Sequence, residues 1–299
     1  MSRPSTRVPT ERLQGVVFGR SILIPVVLFA ALAAWAVGDA PVGQPGKVES
    51  NQEVEITFLV NAGFLLRSGD TKILIDAFVE HSNTAYGALP DDIHEAMVTG
   101  QPPFDSIPLV LVSHYHRDHF QAGTASAFLQ NHTETLLVSS PEVLTAIRDD
   151  DPEHEQIEPR LQEAWPEEGA TLSLTLRGIQ VEFVQLSHEG SEFYPAQCLG
   201  HIIHLGGKRI LHIGDAELRA ERFEELALGS REIDVALIPY WLLKVESSPA
   251  FFRKHIVAKI LVATHIPPAL SDEEIAAEIS GQFPDVVLLR QPLDSLKLQ

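Results

Sequence analysis

Ile107-Pro108-Leu109-Val110-Leu111-Val112-Ser113-His114-Tyr115-His116-Arg117-Asp118-His119 is the stretch on which the reading of this chain turns. Its first six residues are apolar and predict a buried strand. Three imidazoles and one carboxylate then fall between His114 and His119. Imidazole and carboxylate are good ligands for zinc, iron and manganese. A loop leaving a strand can aim several of them at one point. The order His-x-His-x-Asp-His is denser than a solvated turn requires.

Four other apolar stretches end the same way. Residues 72–75 run into Asp76, and 181–186 run into Ser187-His188-Glu189-Gly190. Residues 209–213 run into Gly214-Asp215-Ala216, and 259–263 run into Thr264-His265-Ile266-Pro267. A single His or Asp after a strand is most often a surface or capping side chain. In this order, and with the first cluster, they place one ligand-type residue at each of several strand ends. If those strands share one architecture, the ends converge.

The wider pattern supports such an architecture. Residues 54–60, 63–67 and 72–76 read as a meander, with Ser68-Gly69-Asp70 as a turn. Helices are expected near 90–98, 124–130 and 141–148, the last begun by Pro141. Residues 149–168 are charged and unpatterned and read as a solvated excursion. Strands follow at 171–174, 179–186 and in a hairpin, 199–205 with 209–213, across Gly206-Gly207. Residues 216–228 have helical periodicity, and 233–239 and 259–264 are apolar strands. Ser271 with Glu274 is a capping box for a helix over 271–280, and 286–289 is a last strand. Strands lead and helices follow in each half. That favours two mixed β-sheets packed face to face with helices outside, an α/β (α+β) arrangement.

Taken together, Asp76, His114-His116-Asp118-His119, His188, Asp215 and His265 resemble the metal-dependent hydrolases of the metallo-β-lactamase superfamily. The resemblance covers about residues 53–290 and implies a four-layer αββα sandwich with a two-metal site at one edge. It implies that His114, His116 and His188 hold one divalent ion. Asp118, His119 and His265 would hold a second, and Asp215 would bridge both. Asp118, His119 and Asp215 would serve the catalytic step, with Asp76 behind the ligands orienting one of them. His212, three residues before Asp215, is expected to pack there or to support a ligand. Zinc suits this donor set first, with iron or manganese also compatible. Two such ions lower the pKa of a shared water, which can then attack an ester, lactone or phosphodiester. The bridging Asp215 resembles the lactonase, thioesterase and phosphodiesterase branches rather than the true β-lactamases. Asn61-Ala62-Gly63-Phe64-Leu65 and Ile73-Leu74-Ile75-Asp76 are similar to a bacterial branch near phospholipase-D-type and sugar-lactone-type members. An iron-dependent oxidoreductase on the same fold, or a non-catalytic envelope binding protein, are the competing readings.

Composition sets the outer bounds. The 299 residues carry a formal net charge of -19 and a single cysteine, Cys198. An acidic field of that size disfavours nucleic acid as a partner and leaves a small-molecule or lipid-like substrate. One cysteine excludes an internal disulfide. Arg3, Arg7, Arg12 and Arg20 precede an apolar run over residues 21–37, which ends in small residues. This reads as a signal peptide or, alternatively, an N-terminal membrane anchor, so export to the periplasm or cell envelope is expected. The domains expected are then 1–40 for that segment, 41–52 for a linker and 53–299 for the hydrolase domain. Tyr115, Arg117, Tyr194, Tyr240 and Trp241 are aromatic or cationic groups expected near the site without an assigned role.

Overall fold

The chain leaves its first strand and comes back to the same sheet edge only at its last one. In the computed structural model, residues 52–79, 87–151, 154–190, 192 and 195–299 are described. The expected signal or anchor segment lies outside them, as do Tyr194 and all of the linker but Gln52. Among the described residues no helix is long and apolar enough to cross a membrane.

The first half opens with β1 (Val54–Val60), β2 (Gly63–Ser68) and β3 (Thr71–Ile75). Then come α1 (Asp91–Thr99), β4 (Leu109–Leu111), α2 (Ala122–Asn131), β5 (Leu136–Ser139), α3 (Pro141–Asp150) and β6 (Leu161–Glu163). The second half runs β7 (Thr171–Leu176), β8 (Ile179–Ser187), β9 (Gln197–Leu205), β10 (Lys208–His212), α4 (Ala220–Glu225) and β11 (Val235–Pro239). It closes with α5 (Tyr240–Leu243), α6 (Ser248–His255), β12 (Ile260–Thr264), α7 (Asp272–Ile279), β13 (Val287–Leu288) and β14 (Ser295–Leu298).

Two seven-stranded sheets result, ordered β14-β1-β2-β3-β4-β5-β6 and β13-β12-β11-β10-β9-β8-β7. Each combines an antiparallel meander with a parallel run, β3 to β6 in one and β10 to β13 in the other. The parallel strands β4 and β11 are buried along their whole length and correspondingly apolar, because both faces of their sheets are covered. One hydrophobic cluster holds Ile56, Ile75, Phe183, Ile203 and Val262 and lies between the sheets. A second, with Met97, Phe128 and Ile147, joins the outer face of the first sheet to α1, α2 and α3. A third, with Phe223, Phe252 and Ile275, does the same for the second sheet and its helices. This is the four-layer αββα sandwich.

Several expectations need correction. Residues 149–168 are not an unpatterned excursion: β6 lies within them and pairs in parallel with β5 through Leu137–Leu161, Val138–Gln162 and Ser139–Glu163. It is a polar edge strand, so no apolar run announces it. The helix expected over 216–228 shrinks to Ala220–Glu225, because 216–219 are tied by Glu217 N–H to the Ser187 carbonyl (2.7 Å). Helices α5 and α6 were not anticipated, and neither was β14, which pairs antiparallel with β1 from Val54–Leu298 to Thr57–Ser295. The capping box of α7 is present, with both the Ser271 and the Glu274 side chain bonded back to backbone.

Candidate metal centre

Topology alone brings the expected ligands to one edge. β1, β3 and β4 run in the same direction in one sheet, and β8, β10 and β12 share a direction in the other. A site residue follows each: Asn61, Asp76, the His114–His119 loop, His188, Asp215 and His265. The two sheets are stitched here by Leu199 N–H to the Ser113 carbonyl (2.9 Å) and His265 N–H to the Asn61 carbonyl (3.0 Å). Asn61, Asp76 and His265 all have positive φ, at 48°, 43° and 56°. Such strain clusters at functional sites, where the surrounding fold holds it in place. Gly214 is required: its φ is +53°, and a Cβ there would stand 2.8 Å from Ser113 Cβ.

His114, His116 and His188 form one group whose ligand atoms lie within 4.8 Å of one another, and Asp118, His119, Asp215 and His265 form a second. The first three rings make a triangle with centroids 4.6 to 4.8 Å apart. Asp215 faces both groups. Its Oδ1 is 3.1 Å from His119 Nε2, and its Oδ2 is 3.4 Å from His265, 3.9 Å from His188 and 4.0 Å from His114.

Hydrogen bonding sets how the imidazoles point. Asp76 is fully buried and accepts from Ser113 N–H (2.7 Å), the Ser113 hydroxyl and His119 Nδ1–H (2.8 Å). With its proton on Asp76, Ser113 Oγ accepts from His114 Nδ1–H at 2.9 Å. His188 Nδ1–H donates to the Glu189 carbonyl at 2.6 Å. These partners assign the tautomers and leave the Nε2 lone pairs turned to the centre, as metal-binding histidines require. The Nε2 atoms of His114, His119 and His188, and Asp215 Oδ1, are buried without a hydrogen-bond partner among the described residues. Buried polar atoms are normally satisfied. Cations with nitrogen and oxygen ligands would satisfy all four, so the residues fit such a group. The cluster Asp76, His114 and His119 also falls within ligand range, but the Asp76 oxygens are already occupied by donors.

The electrostatics agree. Burial pushes the Asp118 and Asp215 carboxyls up, yet the neighbouring histidines hold both well below the usual carboxylate range. For Asp76 burial is likewise overruled, chiefly by His212 and His119. Burial and the adjoining imidazoles keep His114 and His116 neutral. His119 and His265 rise above the ordinary value despite burial, because Asp215 and its neighbours stabilise their protons. The same carboxylates would stabilise a metal cation at that place.

The site contains residues that the strand-end pattern did not single out. Asn61 Nδ2 donates to the Asp118 carbonyl (2.8 Å) and to Asp118 Oδ2 (3.3 Å), fixing that carboxylate. Ser113 couples Asp76 to His114. Trp241 packs edge-on to His265, with centroids 4.5 Å apart. The signal for Asn61 was its position at the end of β1, where the other strand ends carry His or Asp. His212 lies with Nε2 3.7 Å from Asp76 Oδ2, buried between the sheets. Tyr115 packs at a tilt against His116, with ring centroids 4.9 Å apart, and its hydroxyl donates to the Pro195 carbonyl (3.3 Å). Tyr240 donates instead to Glu278 (2.6 Å).

The sequence model of the β-lactamase superfamily domain matches residues 71–276, which span the loop His114–His119 together with His188, Asp215 and His265. This chain belongs to the β-lactamase superfamily. Among curated relatives, a UPF0173 metal-dependent hydrolase of Pyrococcus furiosus is 28% identical over 255 residues, covering 82% of this chain and all of the relative. Among solved structures, Igni18, a metallo hydrolase of the archaeon Ignicoccus hospitalis, superposes with a TM-score of 0.55 at 19% identity. It covers 83% of this chain and 99% of its own. The metallo-β-lactamase-fold protein YhfI of Bacillus subtilis gives a TM-score of 0.55 at 15% identity, over 83% of this chain and the whole of its own. These structural likenesses establish the metallo-β-lactamase fold.

Proposed function

We propose that this chain is a binuclear metal-dependent hydrolase acting on an ester, lactone or phosphodiester. One observation carries the reading: Asp215 stands between two groups of ligand-type side chains, and the buried Nε2 atoms of His114, His119 and His188 have no hydrogen-bond partner among the described residues. The names of the curated relatives point the same way. His114, His116 and His188 would hold one divalent ion, and Asp118, His119 and His265 the other, with zinc as the first candidate. When bound, such ions supply Lewis acidity and lower the pKa of water.

The chain's own residues do the rest. Asp215 balances charge on both sides and keeps the two groups in register. Asp76 and Ser113 orient His119 and His114, and the Glu189 carbonyl orients His188. Asn61 holds Asp118. Trp241 and Tyr115 pack beside His265 and His116. The strongly acidic surface would slow anionic substrates, which favours neutral esters or lactones over phosphodiesters.

The test is a panel of p-nitrophenyl esters, lactones, phosphomonoesters and phosphodiesters, run before and after chelation. Turnover of one class that chelator abolishes and zinc restores is expected. Turnover indifferent to chelator would contradict the reading. Export remains part of the proposal, resting on the arginines and apolar run of residues 1–40. Cell fractionation with N-terminal sequencing checks it.

A further inference from the structure

A cavity of about 320 Å³ opens beside the candidate metal centre. Asn61 and His265 form part of its wall. Those two residues hold Asp118 from the other side, His265 Nε2 at 2.8 Å from Asp118 Oδ2 and Asn61 through its amide. The remaining wall is mainly apolar, with Phe58, Val60, Ala263, Ile266, Leu289 and Pro292. Phe58 and Leu289 belong to the cluster between the sheets, so the cavity enters the sandwich itself. Protein interiors hold few voids larger than a water molecule, whereas ligand pockets begin near about 300 Å³.

Its polar groups narrow the occupant. Arg290, also on the wall, already donates to Asp272 Oδ1 and to the Leu270 carbonyl. Its charge is therefore matched within the protein. Asn61 Oδ1 is buried and has no hydrogen-bond partner among the described residues. The cavity thus offers largely apolar walls, the spare Asn61 acceptor, the neutral amide of Gln291 and a neutralised guanidinium, with no unmatched cation among the described residues. That suits an uncharged aliphatic chain and not a phosphate or a carboxylate.

We infer that this cavity receives the aliphatic acyl chain of an ester substrate; the inference rests on the hydrolase reading above. The acyl half is assigned here because the leaving alcohol departs first and needs the open side, where Arg117 is exposed and His116 half-buried. In the reaction the water oxygen bonds to the acyl carbon as the carbon–oxygen ester bond breaks. One water proton leaves with the alcohol, and the carboxylic acid formed releases its own to solvent.

The experiment uses the full chain loaded with zinc and p-nitrophenyl esters from acetate to decanoate, below their micellar concentrations. kcat/KM is expected to rise about fourfold per methylene until the cavity is full, and then to level. A parallel series lengthened in the alcohol half is expected to stay flat. Ala88→Trp, which fills the cavity from a loop, is expected to erase most of the acyl-chain gain while metal content and melting temperature hold. Calorimetric binding of 2-decanone, which cannot be hydrolysed, is expected to exceed that of 2-butanone by at least about tenfold and to weaken in Ala88→Trp. If acetate is cleaved but chain length has no effect and 2-decanone does not bind, the acyl pocket is overturned and the hydrolase reading stands. A gain confined to the alcohol half overturns the acyl assignment. If 2-decanone binds but no ester is cleaved, the ester reading falls while the apolar cavity is upheld.

Discussion

Asn61 is the residue whose role is most exposed to test. Its amide spans the Asp118 carbonyl and carboxylate, so it positions a candidate ligand without being one. Groups that orient ligands typically contribute about 10- to 100-fold in metal affinity. Asn61→Ala is therefore expected to weaken the proposed second metal site by about that factor, read by competition with a chromophoric chelator, and to spare the proposed first site. Equal weakening of both would place Asn61 in a general folding role. His201 offers a separate test. It is fully buried beside Phe183, and neither ring nitrogen has a hydrogen-bond partner among the described residues. Burial, with the neighbouring His212, pushes its pKa down to about 3. The unfolded chain takes up that proton near the ordinary value of about 6.5, while the folded chain resists until about 3. Stability from this group is therefore full above the ordinary value and is lost as pH falls through that window. In metal-free protein, His201→Phe is expected to lower the slope of unfolding free energy against pH by up to about 1.4 kcal/mol per unit between about pH 6 and pH 4. An unchanged slope would show that His201 titrates normally.

At the level of elements, β14 closes the first sheet. It covers β1 and supplies Leu298 to the inter-sheet cluster. Removing residues 295–299 would bare the β1 edge and its backbone groups. A lower urea midpoint and concentration-dependent aggregation are expected; an unchanged midpoint would make β14 dispensable. The same strand marks a limit of sequence reading. Ser-Leu-Lys-Leu alternates, but over four residues it is indistinguishable from a polar tail until β1 is known to need a partner. β6 escaped notice for a related reason, since an edge strand has no reason to be apolar. The doubly covered strands β4 and β11 were legible because burial on both faces forces continuous apolar runs. Each candidate ligand was legible too, because it interrupts an apolar run at its end. Asn61 was not, because an amide at a strand end has no distinctive chemistry until Asp118 is placed beside it.

For the whole molecule, the site is a property of both halves. Asp76 and the His114–His119 loop come from one sheet, and His188, Asp215 and His265 come from the other. The αββα arrangement could be read from the order of strands and helices and from the family resemblance. The register that sets Asp215 between the two histidine groups could not, because it depends on Gly214 passing against Ser113 across the sheet interface. Two cation sites sharing Asp215 is the central claim. Elemental analysis of the chain after zinc loading and exhaustive dialysis tests it most directly. Two zinc ions per wild-type chain, and one in Asp118→Ala, are expected. One ion or none in the wild-type chain would contradict it.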